Sequence, residues 1–360
     1  MSANEKYFFK NLLDWYDKNR RVLPWRQTKD PYIIWVSEVI LQQTRVDQGL
    51  PYFLKFISTF PNVNRLADAP EEKILRIWQG LGYYSRARNM LRCAQTVVRE
   101  HQGVFPVRYE TLIKLPGIGP YTAAAVSSIA AGELQAVVDG NVFRVFSRIF
   151  GLEQPINSPE GKIIFNKKAN DLMSLVSVEK ISPGDYNQAV MEFGALQCIP
   201  KNPDCEQCPL ARICFAFQSS AQHLLPVKNP KPSKRDRYFN YLILYQKGKI
   251  WMNKRLAGDV WEGLYDFLLI ETRPRINSLQ LKIKFESLVG QKVEIQKMKS
   301  IKHVLTHQQL NATFFVAEIS ERVAGRINAE GNFFTFSQAA RLPKPIFIAR
   351  ILTELRKNRR

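Results

Sequence analysis

Four of the five cysteines of this 360-residue chain lie close together, as Cys198-x6-Cys205-x2-Cys208-x5-Cys214. Pro200, Pro203 and Pro209 break the same stretch into a polar loop with too little apolar cover to pack four thiols as hydrophobes. The loop is therefore expected to close around something the thiols share. The N-terminal stretch MSANEKYFFK has no apolar core of the kind a secretory signal carries. In the reducing compartment this implies, clustered cysteines point to metal and away from disulfides. Zinc and an iron–sulfur cluster both take four thiolates, and spacing alone leaves both open. Cys93, in the apolar stripe Leu91-Arg92-Cys93-Ala94, reads as core.

The charge balance bears on the partner. Lys and Arg number 52 against 32 Asp and Glu, a net charge of +20. That field repels cationic partners and concentrates polyanions, so nucleic acid comes first and a merely solvated basic surface second. A hydrophobic content of 45% excludes wholesale disorder and supports two domains. No apolar run approaches the roughly 18 residues a membrane span needs. A cytoplasmic, nucleoid-associated monomer without a membrane partner is expected.

From Glu5 to about Phe217 apolar residues recur at helical spacing, as in Phe8, Leu12, Trp15 and again Ile74, Ile77, Trp78, Leu81. Pro24, Pro51, Pro61, Gly80-Leu81-Gly82 and Pro116-Gly117 cut this region into many short helices. Residues 219–237, with three prolines and Lys228, Lys231, Lys234, Arg235 and Arg237, read as a basic linker. Beyond it Tyr238–Tyr245, a turn at 246–249 and Ile250–Met252 form a hairpin pattern. Further strands are expected at Leu264–Ile270, Val293–Lys297 and Thr313–Ile319, with helices at Ser278–Val289 and near Ala349–Arg356. The fold class is an all-α domain followed by an α+β domain. The basic tail Arg356–Arg360 reads as a solvated helix end.

In Leu115-Pro116-Gly117-Ile118-Gly119-Pro120-Tyr121, two glycines let the backbone turn tightly so that helix N-terminal amides face a phosphate. An ordinary helix–helix turn fits the bare pattern equally well. Asp139, before Gly140-Asn141-Val142, is placed to cap a helix and to be held ionised by backbone N–H bonds, though most such residues do no more than cap. Glu38 is the anomaly, an acid within the apolar run Tyr32–Thr44. It lies either on an exposed edge or in a pocket that raises its pKa, as a general acid requires. Two carboxyls with pKa values pushed apart suit glycosidic-bond cleavage, one protonating the leaving group and one steadying the cationic sugar.

The Gly-x-Gly hairpin, the Asp twenty residues beyond Gly119 and the cysteine spacing together resemble the helix-hairpin-helix DNA glycosylases of the endonuclease III superfamily, which carry a [4Fe–4S] cluster. Leu23-Pro24-Trp25-Arg26, Ser37–Thr44, Gly80–Arg86 and Asp139–Val142 resemble its adenine-specific branch, and the likeness covers about residues 5–217. It implies iron–sulfur over zinc, with Cys198, Cys205, Cys208 and Cys214 as ligands. It implies a monofunctional enzyme, because Tyr121 stands where the lyases of the superfamily carry a lysine. Glu38 would protonate adenine at N7, Asp139 would stabilise the oxocarbenium-like sugar, and Tyr121 and Asn141 would orient them. Trp25, Arg26 and Gln188 would line the base pocket, Gln43 and Tyr83 would fill or wedge the duplex, and Gly117 and Gly119 would meet phosphate.

Residues 238–360 resemble the Nudix-like domain of that branch through Trp261–Phe267 and Lys302–His307. Thr306 and His307 would read 8-oxoguanine opposite the adenine, with Leu305 where the family has an aromatic. The acidic Nudix hydrolysis box is absent, so recognition without hydrolysis is implied. The domains expected are then 1–218, a glycosylase domain with its cluster loop at 198–214, a linker at 219–237, and a recognition domain at 238–360. The DNA partner implied is a duplex with an A:8-oxoguanine or A:G mispair. A glycosylase for another damaged base is the nearest rival. A non-catalytic damage binder has no use for two acids near phosphates, and an electron-transfer protein has none for the hairpin.

Overall fold

The structure, a computed structural model, describes residues 1–230, 233–273, 276–290, 292–320, 327 and 330–357. Lys231 and Pro232 of the expected linker, and Asn358, Arg359 and Arg360 of the basic tail, lie outside them. By contact density the described residues form two units, Met1–Asp68 with Asn89–Pro230, and Ala69–Arg88 with those beyond 232.

The helical reading of the N-terminal region is borne out. The chain runs through α1 (Ala3–Asn19), α2 (Pro31–Leu41), α3 (Val46–Thr59), α4 (Val63–Ala67), α5 (Glu71–Ile77), α6 (Ser85–His101) and α7 (Tyr109–Leu112). It continues through α8 (Pro120–Ala131), α9 (Gly140–Phe150), α10 (Pro159–Val178), α11 (Pro183–Leu196) and α12 (Phe215–Gln218). Val142, Val145, Phe146 and Ile149 put one face of α9 into a core shared with Phe8 and Leu12 of α1, Phe165 and Leu172 of α10, and Phe193 of α11. Cys93 is fully buried, as expected.

The second unit holds a mixed sheet of β1 (Arg235–Gln246), β2 (Lys249–Lys254), β3 (Tyr265–Asp266), β4 (Leu268–Thr272), β5 (Gln296–Val304), β6 (Gln308–Glu318) and β7 (Asn332–Thr335). With it are α13 (Ser278–Val289), α14 (Phe336–Arg341) and α15 (Ile346–Lys357). The expected hairpin is β1 with β2, paired Tyr245 to Ile250. Along its other edge β1 runs parallel to β6. Side chains alternate along β1, so Phe239, Tyr241, Ile243 and Tyr245 pack with Phe347, Ile351 and Leu355 of α15. Leu242 and Leu244 pack with Leu281, Phe285 and Val289 of α13 on the opposite face. Burial on both faces explains the unbroken apolar run in the sequence.

Two expectations shift. The strand placed at Val293–Lys297 begins at Gln296 and runs to Val304, and Val293 enters the core from a loop. Leu264–Ile270 is split between β3 and β4. Within the linker segment, Leu225 is buried, Val227 accepts a hydrogen bond from the Ile156 N–H at 3.0 Å, and Arg235 already starts β1.

Candidate active site

Asp30 caps α2 and Pro31 opens it, which sets Glu38 inside the first unit. Glu38 is 9% exposed, and burial pushes its carboxyl up to about 7. The Tyr121 hydroxyl donates to Glu38 Oε2 at 2.7 Å and works against that rise, while the charge of Asp139 adds to it. Of the two placements open in sequence, the pocket is the one found. Tyr121, in the first turn of α8, is itself held well above its usual pKa by burial and by Glu38, so it stays a hydroxyl.

Asp139 is the N-cap of α9. Its Oδ1 accepts the N–H groups of Asn141 at 2.9 Å and Val142 at 2.8 Å, and its Oδ2 accepts Asn141 Nδ2 at 2.8 Å. The expectation that these bonds depress its pKa is corrected. Burial raises it, and the hydrogen bonds from Val142 and Asn141, with the charge of Arg144, oppose the rise without reversing it. The two acids are therefore not pushed in opposite directions. They differ in support, one hydroxyl donor at Glu38 against three N–H donors at Asp139.

Both acids line one cavity of about 1050 Å³ with Trp25, Arg26, Gln43, Tyr121, Asn141 and Gln188. Trp25 is also core, edge-on to Phe53 at 4.9 Å between ring centroids. Arg26 forms a two-bond pair with Glu192, at 2.8 and 2.9 Å, and Arg21 grips the same carboxylate from the other side. Burial alone would raise Glu192, but these guanidinium bonds bring it down to about 2. The sequence reading missed this 1% exposed acid. Its signal was weaker than that of Glu38, a carboxylate between Met191 and Phe193 in a helix that Asn187 and Gln188 make partly polar.

The hairpin glycines do not line the cavity. Gly117 has φ +76°, and a Cβ there would lie 2.5 Å from Asn89 Cβ, so both the turn and the packing require glycine. Gly119 meets nothing within 4 Å, and it caps α8 without a side-chain bond, which leaves the first-turn amides open. Gln43 (φ 58°) and Tyr83 (φ 49°) both have left-handed backbone, a conformation that costs a non-glycine residue energy and is often found at functional sites. Tyr83 belongs to the second unit, where its hydroxyl is hydrogen-bonded to that of Thr306. Thr306 and His307 are exposed in the turn between β5 and β6.

Cys198, Cys205, Cys208 and Cys214 surround one small apolar cavity and form no disulfide. Burial pushes the Cys208 thiol up to about 12, and the charges of the other three cysteines add to the rise. Such crowding calls for a cation. Among the described residues no three His, Cys, Asp or Glu close around a point for a single metal ion. Four free thiols that line one cavity fit a thiolate-held metal centre. Arg148 donates to Cys198 Sγ at 3.5 Å and to the carbonyls of Ile199 and Pro200, which braces the loop.

Residues 36–168 match the family described as "HhH-GPD superfamily base excision DNA repair protein", and residues 240–354 match the NUDIX domain. An adenine DNA glycosylase of Buchnera aphidicola subsp. Baizongia pistaciae is 31% identical over 357 residues, 97% of each chain. The corresponding protein of Buchnera aphidicola subsp. Acyrthosiphon pisum is 36% identical over 264 residues, 73% of this chain and 74% of its own. A solved thermostable thymine-DNA glycosylase superposes with a TM-score of 0.54 at 29% identity, covering 60% of this chain and 97% of its own.

Proposed function

Because the chain belongs to the adenine DNA glycosylases, HhH-GPD enzymes of base excision repair, we propose that the adenine it removes is one mispaired with 8-oxoguanine or guanine, and that Glu38 and Asp139 carry the cleavage. The observation that carries this reading is the Glu38 carboxyl, raised to about 7 beside Asp139 in one cavity. An acid with that pKa holds a proton near neutral pH and can deliver it to the departing base. The duplex must surrender the adenine first, and a cavity of this size admits a flipped base.

In this reading Glu38 protonates adenine at N7. Asp139, fixed by the first amides of α9 and by Asn141, places negative charge where the sugar becomes cationic. Water then completes hydrolysis and leaves an intact strand with an abasic site. Tyr121 supplies no amine for a Schiff base, so its role is to hold Glu38. Thr306 and His307 read the opposite base, with Gln43 and Tyr83 entering the duplex. The four cysteines would hold a [4Fe–4S] cluster, which when bound ties residues 198–214 into a rigid loop. Duplexes carrying A:8-oxoguanine, A:G and A:C pairs, assayed for adenine release, test the specificity. Equal release from all three would remove the proposed role of the second unit.

A further inference from the structure

Residues 132–139, between α8 and α9, carry neither helix nor strand, yet they deliver Asp139 to the first turn of α9 in one position. The segment leaves α8 through Gly132, in left-handed backbone, and the Glu133 N–H donates back to the Ser127 carbonyl at 3.3 Å. Irregular backbone of this kind has no ladder to satisfy its polar groups, so a group outside the segment has to.

Asn187, on α11 and 2% exposed, does so. Its Oδ1 accepts the Val137 N–H at 3.1 Å, and its Nδ2 donates to the Gln135 carbonyl at 2.8 Å. One acceptor and one donor set against the residues flanking Ala136 act as a residue of a parallel neighbouring strand would. Nδ2 also donates to Ser128 Oγ at 2.9 Å, so the amide reaches from α8 to the segment with both of its donors engaged. Val137, held in this way, seats its side chain on Ala124 and Ala125 of α8, two residues before Asp139.

The helix that carries Asn187 is itself set close. A Cβ on Gly184 would lie 2.8 Å from Ile129 Cα, and one on Gly194 would lie 2.6 Å from Asn141 Cβ. α11 thus lies directly against the end of α8 and the start of α9, and Asn187 works from this base one turn beyond Gly184.

We propose that Asn187 is a positioning residue for the glycosidic cleavage, holding residues 135–137 so that the Asp139 carboxylate stands where positive charge develops on the sugar. The proposal rests on Asp139 having that role. An amide that only filled the core could bond any neighbour. This one directs its acceptor and one donor at two backbone groups that lead into the acid.

The test uses the full chain in equilibrium binding to two duplexes that cannot be cleaved, one with a neutral tetrahydrofuran and one with a cationic pyrrolidine in place of the adenosine, each opposite 8-oxoguanine. Preference for the cation reports the charge of Asp139 at the sugar. Asn187→Leu should reduce that preference, and single-turnover adenine release with it, by about tenfold or more, while affinity for the neutral duplex is unchanged. Asn187→Ser leaves room for a water to bridge the vacated bonds, so it should fold even where Asn187→Leu does not and show the same loss in smaller measure. Ser128→Ala removes the amide's third bond without touching the segment and should keep the parent's rate and preference. Melting curves establish that each variant is folded. Intact preference and rate in both Asn187 variants would overturn the proposal, and so would an equal loss on both duplexes, the mark of general loosening. Asp139→Asn, run alongside, checks the role of Asp139 itself. A preference that Asp139→Asn leaves intact would remove that role and the proposal with it, whereas one that Asp139→Asn abolishes and the Asn187 variants leave intact would sink the positioning role alone.

Discussion

In the proposed mechanism Glu38 acts only while protonated, and its surroundings favour the proton. Its pKa rises on folding from 4.5 to about 7, so the stability linked to this group is complete below about pH 4.5 and is lost as the pH climbs through about 7. Glu38→Gln, neutral throughout, should melt at nearly the same temperature as the parent at pH 5. At pH 8 it should be more stable by on the order of 2–3 kcal/mol, and parallel melting profiles across that range would refute the buried-acid account. The same variant should keep duplex affinity while adenine release drops at least about a hundredfold, and the parent rate should decline above pH 7. Tyr121→Lys should gain borohydride-trappable adducts that the parent lacks. Efficient trapping by the parent would mean that another lysine reaches the sugar. Glu192→Gln leaves Arg21 and Arg26 without their counter-charge and should cost about 2–3 kcal/mol, less than a fully buried pair because Arg21 is a third exposed; thermal melts measure it. Glu38 was legible because it is the one charged residue in Tyr32–Leu41. Glu192 was not, because Asn187 and Gln188 already interrupt its helix and its partners lie 166 and 171 residues away.

At the scale of elements, the hairpin separates two demands that look alike in sequence. Gly117→Ala meets both a left-handed backbone and Asn89, and should lower stability by about 2 kcal/mol or more. Gly119→Ala adds a methyl to open space, so it should melt like the parent while weakening DNA binding. A Gly119→Ala variant that lost stability but bound normally would reverse this assignment. In the cysteine loop, purified protein should contain iron and sulfide with broad absorption around 400 nm, and one zinc without iron would exclude the cluster. Helices with a cap and a clean apolar stripe, such as α9, were legible from end to end. The edge strand β5 was placed late because Lys297, Lys299 and Lys302 break up its alternation, and edge strands carry such charges to stay unpaired. β7, four residues long, is made by pairing with β2 some eighty positions earlier, and no local pattern announces it.

For the whole molecule, periodicity identified α5 as a helix but is silent on which core receives it. The structure groups Ala69–Arg88 with the sheet. Glu72 accepts from the Tyr265 hydroxyl at 2.9 Å, Arg88 donates to the Glu262 carbonyl at 2.6 Å, and a Cβ on Gly263 would come within 3.3 Å of Leu75. The arrangement has a consequence for biosynthesis. The ribosome delivers Ala69–Arg88 on the order of ten seconds before the strands they pack with. Leu75, buried in the finished protein and within 3.3 Å of where a Cβ on Gly263 would lie, must wait through that interval without that neighbour. During synthesis this segment therefore leaves the ribosome between two stretches of the other unit, and its bonds to Glu262 and Tyr265 close only when translation reaches the sheet.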